Sequence, residues 1–103
     1  MHIISFKTLR VFFGKYPSAE APLKKWFKVI TANDFKNFAE LKQLFPSADQ
    51  VKRFVVFNIG GNKYRLIAFL AYDANRLYVR NVLTHKEYDR DKWKEDSWFD
   101  SNK

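Results

Sequence analysis

Apolar residues recur with a helical period in the first half of the chain and in strand-like runs in the second. Leu9, Phe12, Phe13 and Tyr16 fall at i, i+3, i+4 and i+7, and Leu23, Trp26, Phe27 and Ile30 repeat the spacing. Each set predicts a helix with one buried face. Lys7, Arg10 and Lys15 lie off the first stripe, and Lys24, Lys25 and Lys28 off the second. Pro17 stops the first helix, since the residue before a proline is pushed out of helical geometry. Pro22 suits the first position of the second helix, where its missing N–H has no intrahelical partner. The short link through Pro17-Ser18 predicts an antiparallel helical hairpin. Ahead of it, Ile3-Ile4 reads as an N-terminal strand ending at Ser5, a candidate N-cap. Asn33 or Asp34 is expected to cap a third, shorter helix bearing Phe38, Leu41 and Phe45, closed by Pro46, with a turn over Pro46-Ser47-Ala48-Asp49.

After Lys52-Arg53 the pattern changes. Phe54-Val55-Val56-Phe57 is an aromatic and β-branched run, and Gly60-Gly61-Asn62 is a hairpin signal because these residues tolerate positive φ. Tyr64 to Tyr72 and Leu77 to Leu83, separated by Asp73-Ala74-Asn75, complete three strands in an antiparallel meander. The expected class is α+β: a small antiparallel sheet, made of the N-terminal strand and the meander, backed by two to three N-terminal helices. Residues 1–46 form the mainly helical half, 54–84 the meander and 85–103 a C-terminal helix or tail of a single domain.

Alternation places Tyr64, Leu66, Ala68 and Leu70 toward the helices, with Lys63, Arg65, Ile67 and Phe69 on the opposite face. Pairing Tyr72 with Leu77 would set Arg65 opposite Thr84 and Phe69 opposite Arg80. Arg65, Arg80, Phe69 and Tyr78 would then share the face away from the helices. That register is an expectation which a slip of one residue overturns.

Charge narrows the function. Nineteen basic and 11 acidic residues give a formal charge of +8 over 103 residues, and the excess is concentrated before position 87. Such a cationic body favours a polyanionic partner, with nucleic acid ahead of a membrane. Cysteine is absent, which removes disulfides, thiol catalysis and thiolate metal sites. The N-terminal residues carry no signal-peptide pattern and no apolar run suits a membrane span, so a cytoplasmic protein is expected. The two histidines stand at positions 2 and 85, giving little support to a metal-dependent route, and no cofactor is expected.

Candidate chemistry gathers where the last strand ends, at Thr84-His85-Lys86-Glu87-Tyr88-Asp89. His85 exchanges a proton at neutral pH, and Tyr88, three residues on, shares its side of a helical turn. With Arg65 opposite the strand end and Lys63, Arg80 and Lys86 as further cations, the set fits phosphodiester cleavage. There a ribose hydroxyl loses a proton, charge on phosphorus is neutralised and the leaving oxygen is protonated. The rival reading is a non-catalytic basic RNA-binding module whose exposed Tyr78 and Phe69 stack on bases. Trp93, Trp98 and Phe99 either dock the C-terminal stretch as a short helix with a loose end or leave its acids to shield the basic face.

The run Phe57-Asn58-Ile59-Gly60-Gly61-Asn62-Lys63-Tyr64-Arg65-Leu66-Ile67, followed by Tyr78-Val79-Arg80-Asn81-Val82-Leu83-Thr84-His85-Lys86-Glu87-Tyr88-Asp89, resembles the HigB family of type II toxins within the RelE-like mRNA interferases. Leu41-Lys42-Gln43-Leu44-Phe45-Pro46-Ser47-Ala48-Asp49 extends the likeness into the N-terminal half. The resemblance implies a RelE-like sheet backed by helices and metal-independent cleavage of mRNA on the ribosome, with ribosomal RNA as a further partner. It also implies neutralisation by a HigA-type helix-turn-helix antitoxin and operator DNA bound only through the toxin–antitoxin complex. Arg65 matches the group's phosphate-binding arginine, His85 falls near its strand-end Arg or His, and Tyr88 matches the aromatic that follows. Which of His85 and Tyr88 acts as base stays open, as does whether the antitoxin covers the groove or blocks ribosome entry.

Overall fold

A computed structural model describes residues 1–100. In chain order they form β1 (His2–Ile4), α1 (Phe6–Lys15), a 3-10 turn (Pro17–Ala19), α2 (Glu20–Thr31), α3 (Phe38–Leu44), β2 (Asp49–Val51), β3 (Phe54–Ile59), β4 (Tyr64–Ala71), β5 (Arg76–Thr84), α4 (His85–Asp89) and a second 3-10 turn (Lys92–Glu95). The sheet runs β1-β5-β4-β3-β2. The α+β class and the meander β3-β4-β5 are as the pattern predicts. β2, absent from the sequence reading, pairs antiparallel with β3, while β1 lies parallel to β5 and makes the sheet mixed.

The helical hairpin forms as its stripes require. Phe6 of α1 meets Phe27 of α2 edge-on at 4.9 Å, and Lys24 lies over the Phe13 ring. Pro22 is the third residue of α2, still within the first turn, where N–H groups have no helical partner. The cap of α3 is Asn37, whose side chain accepts from the Glu40 N–H at 3.0 Å, instead of Asn33 or Asp34. Asn33 donates to the Val29 carbonyl, and Asp34 accepts from Asn75 and the Met1 ammonium. Leu9, Leu23, Trp26, Ile30 and Leu41 form the main core against Val55, Phe57, Leu66, Ala68 and Leu77.

The register corrects the expectation at two points, the hairpin and a bulge. Ala71 pairs with Arg76, Leu70 with Leu77, Phe69 with Tyr78 and Ala68 with Val79; the next pair is Ile67 with Asn81. Arg80 is the extra residue of a β-bulge. The β4–β5 turn is longer than expected, with Leu70 and not Tyr72 opposite Leu77, so Phe69 faces Tyr78 instead of Arg80; the bulge then takes back one residue, and Arg65 faces Leu83 instead of Thr84. Past the bulge the faces of β5 exchange: Val82 enters the main core and Leu83 joins the opposite side.

That opposite face is not open. Phe54, Val56 and Ile67 lie beneath Trp93 and Phe99, forming a second core that Phe69, Leu83, Tyr88 and Trp98 border. The C-terminal stretch docks through a 3-10 turn and not an α-helix, while residues 101–103, where a loose end was expected, lie outside the described residues. Trp98 packs edge-on against Phe69 and Tyr78, at 5.5 and 5.4 Å, and the Arg53 N–H donates to the Phe99 carbonyl. Arg80 makes two hydrogen bonds to the Asp96 carboxylate, at 2.8 and 2.9 Å, with its guanidinium 3.9 Å from the Trp98 centroid.

The Arg80 hydrogen bonds hold the Asp96 carboxyl below its ordinary value of 3.8, helped by the Trp98 backbone N–H. The folded value lies below the unfolded one, so the contribution to stability is present above the unfolded value and lost as pH falls through the folded one. Acid titration followed by tryptophan fluorescence is expected to show the strap loosening only below about pH 4. Asp96→Asn should lack that step.

Candidate functional site

The strand-to-helix junction is set by a reciprocal cap. Thr84 accepts through Oγ1 from the Glu87 N–H at 3.2 Å, and Glu87 accepts through Oε1 from the Thr84 N–H at 2.9 Å. This T-x-x-E capping box starts α4 as soon as β5 ends. A second tether, the His85 N–H donating to the Lys63 carbonyl at 3.1 Å, ties α4 to the β3–β4 hairpin. That hairpin turns through Gly60 and Gly61 at φ of 62° and 68°, the left-handed region in which glycine costs least. Lys63 is thus next to His85 through its backbone, with its own side chain exposed.

Arg65 is, among the described residues, the one buried charged side chain, 8% exposed. Its Nη1 donates to the Tyr64 carbonyl at 3.1 Å and its Nη2 to Asn62 Oδ1 at 3.4 Å. Its guanidinium lies over the Tyr88 ring, 5.4 Å from the centroid. No carboxylate among the described residues pairs with it. Tyr88 in turn stacks on Trp93, with ring planes 9° apart, and its carbonyl accepts from the Trp93 indole N–H. Arg65, Tyr88 and Trp93 form one continuous pile.

His85 is half exposed, and its Nδ1 lies 3.0 Å from Asp89 Oδ2, one helical turn on. A carboxylate at that distance favours a proton on Nδ1, which leaves Nε2 as the nitrogen able to accept one. The charged group that the imidazole meets is Asp89, a residue of the Thr84–Asp89 run with no role assigned from sequence. Its signal was the i, i+4 spacing of the two residues. Asn62 and Trp93 carried none, since both contacts depend on the fold.

The structure therefore brings Arg65, Tyr88, His85 and the Lys63 backbone to one end of the sheet. It does not bring Arg80 there: that cation is engaged with Asp96 and Trp98. Lys86 is exposed on α4. Phe69 and Tyr78, expected as open stacking platforms, pack against each other and Trp98, with Arg53 over the Phe69 ring. The pile and the histidine offer a fixed cation beside two groups able to exchange protons, an arrangement suited to an anionic substrate.

Comparison with known proteins bears on the same segment. Residues 19–91, which contain every residue named for this site except Trp93, match the model of the HigB toxin family, the RelE-like toxic component of a toxin-antitoxin system. The chain is 39% identical over 92 residues to the mRNA interferase toxin HigB of Escherichia coli K12, covering 86% of this chain and 88% of that protein. The mRNA interferase HigB of Shigella flexneri gives the same values. The mRNA interferase HigB of Escherichia coli O6:H1 is 33% identical over 93 residues, 87% and 90% of the two chains.

The pile makes a stability prediction independent of activity. Tyr88→Phe retains the ring and should leave unfolding by urea within about 0.5 kcal/mol of wild type. Tyr88→Ala uncovers Arg65 and Trp93 and should cost about 1–3 kcal/mol, less than for a fully buried aromatic.

Proposed function

The chain belongs to the HigB family of RelE-like toxins, and from that premise we propose that it is an mRNA interferase, an endoribonuclease cutting message by attack of a ribose 2′-hydroxyl. The observation that carries this reading is Arg65: a buried guanidinium with no carboxylate partner, lying against Tyr88 near His85. Burying a cation without an ionic partner is costly, and a substrate phosphate would supply the missing negative charge.

In this mechanism Arg65 donates to the non-bridging oxygens of the scissile phosphate and stabilises the charge of the pentacoordinate transition state. Nε2 of His85, its other nitrogen on Asp89, removes the 2′-hydroxyl proton. The new bond from the 2′-oxygen to phosphorus forms as the bond to the 5′-oxygen breaks, and the Tyr88 hydroxyl protonates the departing oxygen. The products are a 2′,3′-cyclic phosphate and a 5′-hydroxyl. Lys63 and Lys86, exposed at the same end, draw in the flanking phosphates; Arg80 would join them only by leaving Asp96. No step in this scheme calls on a metal.

The message is read on the ribosome, where ribosomal RNA meets the basic body and orients the substrate; this places the activity in the cytoplasm. Among the described residues no helix is long and apolar enough to cross a membrane. The partner that restrains it is a HigA-type antitoxin, through which alone the complex reaches operator DNA. The non-catalytic stacking module is disfavoured because Phe69 and Tyr78, its platforms, are partly buried and packed edge-on against Trp98.

Primer extension on a defined message, with and without ribosomes, tests the assignment. Cuts should require ribosomes, and Arg65→Ala should slow them by ~10²–10³ while the purified variant still melts cooperatively. His85→Ala should lose a comparable factor. Full cleavage by folded Arg65→Ala would remove Arg65 from the site, and full cleavage by His85→Ala would transfer the base to Tyr88 or the ribosome.

A further inference from the structure

β1 covers only the start of β5. Its three residues pair with Arg76, Leu77 and Tyr78, and among the described residues no strand lies beside Val79–Leu83 on the side away from β4. An uncovered strand edge presents backbone N–H and C=O groups that another polypeptide can pair with. Two clefts flank this edge and share Arg80, Asn81 and Glu87. One, of about 250 Å³, lies toward α1 and is lined by Thr8, Val11, Phe12, Lys15 and Tyr16. The other, of about 580 Å³, lies toward the C-terminal strap and includes Leu83, Arg90, Lys92 and Trp93.

Side chains of a strand alternate between faces, so a strand added here would meet both clefts in turn. On the α1 side it would find Val11, an apolar side chain 66% exposed, at the rim of the aromatic α1 face. On the strap side it would find Arg90 and Lys92, the cleft's two carboxylates being engaged already, Asp96 by Arg80 and Glu87 by the Thr84 N–H. The matching segment is extended, about five residues long, with apolar and acidic side chains in alternation. We propose that an extended segment of the antitoxin adds to the free edge of β5 at Val79–Leu83, continuing the sheet beyond β1. This mode of recognition draws affinity from main-chain hydrogen bonds and specificity from alternate side chains.

The observations favour this occupant over two others. RNA has no backbone N–H and C=O ladder to match an edge, and Val11 offers it nothing. A second copy of a chain carrying +8 would bring like charge to Arg90 and Lys92. The inference rests on membership of a toxin–antitoxin family and not on the cleavage reading, so its test reads binding alone.

Amide hydrogen exchange of the toxin, free and with the antitoxin of its own system, is the first arm. Amides of Val79–Leu83 that point away from β4 should exchange at least 10-fold more slowly in the complex. Affinity by calorimetry is the second arm: Val11→Glu, on an exposed position that leaves the core intact, should weaken antitoxin binding at least 10-fold, as should Arg90→Glu with Lys92→Glu. Unchanged exchange at Val79–Leu83 in a saturated complex would overturn the proposal, as would wild-type affinity in both variants. Protection of the edge by a single-stranded oligoribonucleotide but not by the antitoxin would reassign it to RNA. Protection of free toxin that grows with its concentration would reassign it to self-association.

Discussion

Arg80 has no partner in β4, and that single unpaired residue decides what each face of the sheet carries. Without the bulge, Val82 would point away from the helices and Leu83 into them. With it, Val82 fills the main core and Leu83 lies across from Arg65 on the other side. The end of β5 is thereby turned so that the Thr84 cap launches α4 with Tyr88 directed at Arg65. The bulge also leaves Arg80 free to reach Asp96 and fasten the strap. Site, second core and strap all follow from one residue of register.

The second core explains how a cation is kept buried beside the start of α4. Arg65 gains two modest hydrogen bonds and an aromatic face, enough to hold the guanidinium in place but not to neutralise it. Tyr88 is held by Trp93, and Trp93 by Phe99. Rigidity thus comes from stacked rings and leaves the charge uncommitted, which suits a group meant to receive an anion. Arg80 has the opposite arrangement, with strong hydrogen bonds to a carboxylate, and serves the fold.

What was legible in the sequence was whatever repeats with a period. The stripes on α1 and α2 and the alternation of β4 are local patterns, so the helices, the meander and the placement of Arg65 away from them could be read directly. The family-like run from Thr84 to Asp89 marked the end of β5 as chemical. β2 was not legible because it is three residues long and two of them are polar. The bulge was invisible because it exists only in the pairing of two strands. The same holds for the strap: Trp93, Trp98 and Phe99 follow neither a helical nor a strand period, and their role depends on the face that they cover. The Arg80 assignment suffered most, since its partner lies sixteen residues away in that strap.

The order of synthesis gives the strap a temporal meaning. Trp93, Trp98 and Phe99 are made after the five strands, so a chain that holds only the sheet lacks the residues that close its second face. Until then Tyr88 has no Trp93 to lie on, and the Arg65 pile is incomplete. Cutting the chain ahead of Trp93 would therefore open the second core and the Arg65–Tyr88 stack together.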